Sequence, residues 1–319
     1  MIKSGQSSGA MYDSSVTPRI SLVTPCLNQA ELVRQTLASV LDQHYPNLEY
    51  VVIDGGSTDG SADVIAETES HLSHWVSEPD DGHYAALNKG FARTTGEVMG
   101  YLNGDDLLFP NSLFVVAEIF ARFPEVQWLT GAHFFVDTHG KYMGYVRPLR
   151  WTRWHLLSRQ VERFLPQEST FWRRTLWEEA GGKLDDRFAL AADFELWARF
   201  SRITSPYSVD APIGCFRFVR GQRSVAFRAQ YLAEVQSIRD RELAISKGDE
   251  RAIRLASMLL RASDAISAGI SVRSKLDTML GAHGLIAFDG ETHQLRLCPQ
   301  SARGRRAQRL FALLAGAAS

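Results

Sequence analysis

Tyr50-Val51-Val52-Ile53-Asp54-Gly55-Gly56-Ser57-Thr58-Asp59-Gly60-Ser61 joins a short apolar run to a turn of glycine and small polar residues, and an amphipathic stretch from Val64 to Glu67 follows. The run reads as a buried strand and the turn as its passage into a helix. The same grammar occurs one unit earlier. Ile20-Ser21-Leu22-Val23-Thr24 is a strand candidate, followed by Pro25-Cys26-Leu27-Asn28-Gln29-Ala30-Glu31, where Asn28 and Glu31 have capping-box spacing. Leu32, Val33, Leu37, Val40 and Leu41 then share one helical face, and Tyr45-Pro46-Asn47 stops the helix. Strands alternating with helices predict an α/β fold. Its mostly parallel sheet is flanked by helices, and ligands bind such sheets at the carboxyl ends of the strands.

A third strand candidate, Val98 to Leu102, runs into Asn103-Gly104-Asp105-Asp106. Adjacent carboxylates at a strand end suit Mg²⁺ or Mn²⁺, hard cations held by one or two acids plus substrate phosphates. A solvated turn is the competing reading, since Asn-Gly and Asp also favour turns. Asp54, Asp105 and Asp106 all fall at predicted strand ends, so one cleft could gather them. Farther along, Phe194, Trp197 and Phe200 lie at i, i+3 and i+6, with Asp193 at the amino end of that helix. Asp193 is either an N-cap or a cleft acid, and one carboxylate can be both.

These segments together resemble the nucleotide-sugar-dependent glycosyltransferases of the large inverting family 2, which have the GT-A (Rossmann-like) fold. The resemblance rests on Thr24-Pro25-Cys26-Leu27-Asn28-Gln29, on Val52 to Ser61, on Ser77-Glu78-Pro79-Asp80-Asp81-Gly82-His83-Tyr84-Ala85-Ala86-Leu87-Asn88-Lys89-Gly90 and on Thr95-Gly96-Glu97. It continues through Asn103-Gly104-Asp105-Asp106, Gln167-Glu168-Ser169-Thr170-Phe171-Trp172-Arg173-Arg174, Gly181-Gly182 and Ala192-Asp193-Phe194-Glu195-Leu196-Trp197. Each piece is short, but their order and spacing agree over about residues 17–226.

The resemblance implies a role for each matching residue. Asp106 is similar to the metal-coordinating acid, and Asp105 to its neighbour that approaches the donor ribose or the metal. Pro25, Asn28 and Asp54 resemble the nucleoside pocket wall, and Asn88 lies in a loop-to-helix segment beside the diphosphate; a cap explains Asn28 equally well. Asp193 matches the general base that takes a proton from the acceptor hydroxyl, a role worth ~10²- to 10⁴-fold in rate, or about 3–5 kcal/mol of barrier. Gln167, Glu168 and Trp172 fall on the acceptor side.

The sequence also departs from the family. Gly55 stands where many members have a second acid that reads a uridine base, which leaves uracil and thymine as the favoured bases without fixing either. Phe218 stands where a His often helps hold the metal or diphosphate, and Pro166 where a His often precedes Gln167. Arg217, Arg220 and Arg223 either bind the diphosphate in its place or are surface charges.

Composition agrees with a globular enzyme of 319 residues, 45% of them hydrophobic. Net charge is 35 − 36 = −1, which gives no reason to expect nucleic acid as a partner. Three cysteines, Cys26, Cys215 and Cys298, have no metal-binding spacing and fit a reducing cytoplasm. Residues 1–16 read as a disordered leader, 17–226 as the GT-A domain and 227–319 as a mainly helical extension. In that extension, Leu285 to Phe288 and Leu295 to Leu297 flank Asp289-Gly290 as a hairpin. Arg303, Arg305, Arg306 and Arg309 beside Leu310, Phe311, Leu313 and Leu314 either contact an anionic inner membrane surface peripherally or form a terminal helix on a neighbour.

Among the aromatics between the acids, Trp151, Trp154, Phe164, Phe171, Trp172 and Trp177, one or two are expected in the acceptor cleft, with Trp172 first. The expected function is metal-dependent, inverting transfer of a sugar from a UDP- or dTDP-type donor to a hydroxyl of a glycan or lipid-linked glycan, as in cell-surface polysaccharide synthesis. Two other readings stand beside it. A sugar nucleotidyltransferase should carry a glycine-rich phosphate loop with a basic residue after the first strand, and Thr24 to Gln29 has none. A non-catalytic nucleotide-sugar or carbohydrate-binding protein should have lost acids, whereas Asp105, Asp106 and Asp193 are present.

Overall fold

The computed structural model describes residues 17–158, 164–219, 221–222, 226–245, 251–253, 255–259, 277, 279–280, 282–292 and 294–298. The leader, Arg220, Arg223 and the basic tail lie outside the described residues. The strands are β1 (Ile20–Cys26), β2 (Leu48–Asp54), β3 (His74–Ser77), β4 (Val98–Tyr101), β5 (Leu107–Leu108), β6 (Trp128–Thr130), β7 (His133–Val136), β8 (Tyr142–Val146), β9 (Thr170–Arg173), β10 (Tyr207–Asp210), β11 (Gly214–Arg217), β12 (Leu285–Asp289) and β13 (Gln294–Cys298). The helices are α1 (Ala30–Leu41), α2 (Ser61–Ala66), α3 (His83–Phe91), α4 (Ser112–Arg122), α5 (Arg153–Leu157), α6 (Arg174–Glu179), α7 (Ala192–Ile203) and α8 (Arg228–Ile245).

The nine-stranded sheet has the order β13-β12-β10-β6-β9-β4-β1-β2-β3. β1 runs parallel to β2 from Ile20↔Leu48 to Cys26↔Asp54, and parallel to β4 on its other side. β9 runs antiparallel to both its neighbours, β4 and β6. Alternation along the central strands assigns the two faces. Leu22 and Val52 enter one apolar cluster with Val33 and Leu37 of α1 and Ile119 and Phe120 of α4. Val23, Val51 and Ile53 enter the other with Leu87 of α3, Trp172, and Trp197 and Phe200 of α7. Gly90 lets α3 lie on the sheet, because a Cβ there would stand 2.4 Å from Val23 Cγ1. A second, four-stranded sheet has the order β5-β11-β7-β8.

One sequence expectation needs correction. Asn28 and Glu31 do not form a capping box, because α1 starts at Ala30 and Asn28 lies before it in the left-handed region, at φ 52°. Instead the β2–α2 loop caps α1: Asp59 Oδ2 accepts from the Ala30 N–H at 3.0 Å and Ser61 Oγ from the Gln29 N–H at 3.0 Å. The segment after residue 226 opens on the long helix α8 and packs back on the domain. Val235 and Ile238 of α8 are buried in the second cluster, and β12 adds to the main sheet parallel to β10. The β12–β13 hairpin forms as its pattern implies, and pairing with β10 buries Ile286 completely. Among the described residues no helix is long and apolar enough to cross a membrane.

Candidate active site

The loop after β4 carries Asp105 and Asp106, and it is held from three directions. The Gly104 N–H donates to Pro25 O at 3.2 Å, and Thr36 Oγ1 of α1 donates to the carbonyls of Gly104 (3.0 Å) and Asp106 (2.8 Å). From β11, the Arg217 N–H donates to Asp106 Oδ1 at 2.9 Å, and its guanidinium donates to Asp105 O (2.6 Å), Gln35 Oε1 (3.0 Å) and Thr138 O (3.1 Å). Arg217 is thus neither a surface charge nor a free diphosphate clamp. It is fully buried and braces the acidic loop, with Nη2 unpaired among the described residues.

Asp106 is 1% exposed, and its Oδ2 accepts from Asn103 Nδ2 at 3.1 Å; Asp105 is partly exposed. Burial, then the nearby charges of Asp105 and Glu168, push the Asp106 carboxyl well above its usual range, and burial raises Asp105 as well. This is the signature of negative charge that its surroundings do not balance. It fits a hard divalent cation, with Asp105 and Asp106 as the acids that would hold it. Among the described residues no three His, Cys, Asp or Glu side chains form a cage by themselves. Mg²⁺ and Mn²⁺ need none where waters and substrate phosphates complete the shell.

On the β1–β2 side, Pro25 is buried near the end of β1 and Asp54 is fully buried at the end of β2. Asp54 accepts from the Ser57 N–H (2.9 Å), Ser57 Oγ (2.5 Å) and Ser77 Oγ (2.6 Å), so it shapes the loop from within. Asn28 joins the same loop through Oδ1, which accepts from the Thr58 N–H at 2.9 Å. Asn88 lies in α3, the helix of that loop-to-helix segment, and its amide clasps the backbone of Leu184 at both ends, at 2.8 and 3.0 Å. A residue that sequence reasoning passed over stands beside them. A Cβ on Gly55 would be 2.9 Å from Asp80 Oδ2, so the Asp80 carboxylate occupies the space that Gly55 leaves open. Its presence in the quoted Ser77 to Gly90 segment was the available clue.

Asp193 is the second residue of α7, not its cap, and its carboxylate faces α3: Oδ1 accepts from Tyr84 Oη at 3.2 Å and from the Phe194 N–H at 2.7 Å. Burial pushes its carboxyl up to about 6, against the lowering effect of those two donors. Tyr101, the last residue of β4, lies in the field of both Asp193 and Asp106. The charges of both acidic centres thus act on one buried tyrosine.

On the third side, Gln167 Nε2 donates to Tyr101 O at 2.5 Å and its Oε1 accepts from Asn103 at 3.1 Å. Glu168 is 2% exposed and pushed up by burial to about 8. Trp172 is not in a cleft. It is fully buried in β9 and packs on Phe91, Tyr101, Trp177 and Trp197, because α3, α6 and α7 cover that face of the sheet. Trp151 and Phe164 instead line an open cavity.

The glycosyl transferase family 2 model matches residues 21–174, the span that carries β1, β2, β4 and the acidic loop. An uncharacterized glycosyltransferase of Mycobacterium tuberculosis is 30% identical over 198 residues, covering 60% of this chain and 72% of its own length. The chain belongs to glycosyl transferase family 2. This glycosyltransferase is also 33% identical over 114 residues to a poly-beta-1,6-N-acetyl-D-glucosamine synthase of Staphylococcus epidermidis, covering 35% of this chain and 28% of that one. Its fold is shared with S. aureus TarS 1-349 in complex with UDP (TM-score 0.57, 16% identity, 82% of this chain and 81% of that one). It is shared too with the mannosyltransferase PcManGT from Pyrobaculum calidifontis in complex with GDP-Man and Mn²⁺ (TM-score 0.50, 19% identity, 94% and 86%). The family 2 glycosyltransferase thus keeps the GT-A layout expected from its sequence.

Proposed function

We propose that this enzyme is a metal-dependent, inverting glycosyltransferase that moves a sugar from a UDP- or dTDP-type donor to a hydroxyl of a glycan or lipid-linked glycan. The observation that carries the reading is the pair of acidic centres acting on Tyr101: a charge-unbalanced Asp105–Asp106 loop and a separate carboxylate, Asp193, raised to about 6. The first suits a cation with a diphosphate, the second a proton acceptor. A UDP-bound neighbour, a Mn²⁺-bound neighbour and a relative named as a polysaccharide synthase support it.

In this reading Asp193 takes the proton of the acceptor hydroxyl while that oxygen forms its bond to the anomeric carbon and the carbon–diphosphate bond breaks. The in-line displacement inverts the anomeric centre. Tyr84 Oη orients the carboxylate, and the Phe194 N–H stabilises its charged form before the proton arrives. A cation held by Asp105 and Asp106 supplies charge neutralisation for the departing nucleoside diphosphate. Pro25, Asn28 and Asp54 build the nucleoside wall, with Asp80 presenting the carboxylate that faces the base in place of Gly55. Asn88 acts indirectly, by fixing the segment ahead of α7. We place the reaction in the cytoplasm, with the basic tail as a peripheral contact at the inner membrane face.

Calorimetry with UDP tests the donor half. UDP should bind in Mn²⁺ and lose about tenfold or more in affinity, roughly 1.4 kcal/mol, on chelation or in Asp106→Asn, whose amide oxygen can still accept from the Arg217 N–H. Equal affinity in all three conditions contradicts the metal assignment.

A further inference from the structure

A cavity of about 300 Å³ is lined among others by His133 and Phe135 of β7, Val146 and Arg147 at the end of β8, Trp151, Phe164 and Pro166, which precedes the Gln167–Glu168 segment. His133 and Phe135 alternate to the same face of β7 and their rings are 4.3 Å apart, forming one aromatic wall. His133 also reaches inward. Its Nε2 is 3.7 Å from Glu168 Oε1, too far for a hydrogen bond, and both atoms are buried without a partner among the described residues.

Glu168 is placed firmly. Its carbonyl would lie 2.1 Å from a Cβ on Gly214, so only glycine lets β11 close on this segment. The Gly214 N–H donates to Ser169 Oγ at 3.0 Å, and Gln167 ties the preceding residue to Tyr101. Two orphaned polar atoms in a rigid wall oppose folding and are satisfied by something that enters. An apolar aromatic surface with a few convergent polar atoms suits a ligand with one hydrocarbon face and one hydroxylated edge.

We propose that this cavity is the acceptor subsite and takes a pyranose, whose C–H face packs on the Phe135, Trp151 and Phe164 side while one hydroxyl engages His133 Nε2. The soft χ2 of histidine lets the imidazole turn Nε2 toward the cavity when the sugar arrives. The proposal rests on the glycosyltransferase reading above and adds to it the place and class of the acceptor. It also explains why the sugar-facing aromatics are Trp151 and Phe164, on loops at the cavity, rather than Trp172 in the central sheet.

Saturation-transfer NMR on the full chain tests it, with methyl glycosides of glucose, galactose, mannose, rhamnose and N-acetylglucosamine as the probes and calorimetric UDP affinity measured in parallel. At least one glycoside should give signals that weaken about tenfold or more in His133→Ala. They should weaken likewise in Val146→Trp, a substitution at a 42% exposed position that fills the cavity mouth without touching the core. UDP affinity should stay within about twofold in both variants. Glycoside signals that persist in both variants, or no binding by any of the five, overturn the subsite. A parent that binds glycosides but not UDP upholds the subsite and overturns the donor reading, so the two failures are distinguishable.

Discussion

Asp80 Oδ2 lies 2.9 Å from the point where a Cβ on Gly55 would stand, so the position after β2 that carries no side chain is met by an acid from the β3–α3 loop. If that carboxylate accepts a hydrogen bond from the base, Asp80→Ala should weaken UDP and dTDP binding by about tenfold to a hundredfold, the range of one hydrogen bond to a charged group. GDP should bind worse than either in the parent. Calorimetry with the three nucleotides checks both statements, and an unchanged UDP affinity in Asp80→Ala removes Asp80 from the pocket.

A buried ionic cluster fixes α8 to the rest of the core. Glu242 is fully buried and meets Arg153 of α5 at 3.2 Å and Arg202 of α7 in a short bidentate contact. Glu242→Ala strands two partly buried cations. It should destabilise the fold by roughly 2–3 kcal/mol, below the range for wholly buried pairs because Arg202 is 36% exposed. Urea unfolding followed by fluorescence reads the shift in midpoint.

Glu49 gives a pH-dependent stability of the opposite sign to Asp193. Burial pushes its carboxyl up, but donors from Ser21 (2.6 Å), the Thr95 N–H (2.7 Å) and the Gly96 N–H (3.0 Å) outweigh it and hold the group below its ordinary 4.5. A depressed carboxyl contributes stability above its unfolded value and loses it as pH falls through the folded one. Glu49→Gln should therefore be less stable than the parent at pH 7, and the gap should shrink as pH drops below about 4.5. Melting curves across that window would show a constant gap if the hydrogen-bond account were wrong.

The parts legible in the sequence were those with a local cause. β1, β2 and β4 are short apolar runs closed by turn residues, and the residues after them sit at strand ends because a parallel sheet aligns those ends. What escaped was set by partners distant along the chain. Asn28 and Glu31 have the spacing of a cap, but Asp59 and Ser61 from the next loop reached the helix end instead. Arg217 looked like a loop charge because its carbonyl and amide partners, Asp105, Thr138 and Gln35, are 79 to 182 residues away. Trp172 carries no sign of being buried, since the face of β9 it stands on is covered by Phe91 of α3 and Trp197 of α7, both distant along the chain. The His133–Glu168 pair belongs to the same class, because nothing near either residue announces the other.

The account turns on Asp193, and Asp193→Asn tests it most directly, with sugar transfer from a nucleotide-sugar panel, UDP affinity and melting temperature measured on the same variant. A carboxyl raised to about 6 is a proton acceptor above that pH, so parental turnover should rise with pH through an inflection near 6. Its charge is also a penalty on folding that grows as pH rises from 3.8 toward 6, and the amide, which keeps an acceptor for Tyr84 Oη and the Phe194 N–H, should melt no lower than the parent at pH 7. Turnover in Asp193→Asn should fall by ~10²-fold or more and lose the inflection, with UDP affinity nearly unchanged. Near-parental transfer by the same folded, UDP-binding variant would contradict the central claim and move the search for the base to Glu168.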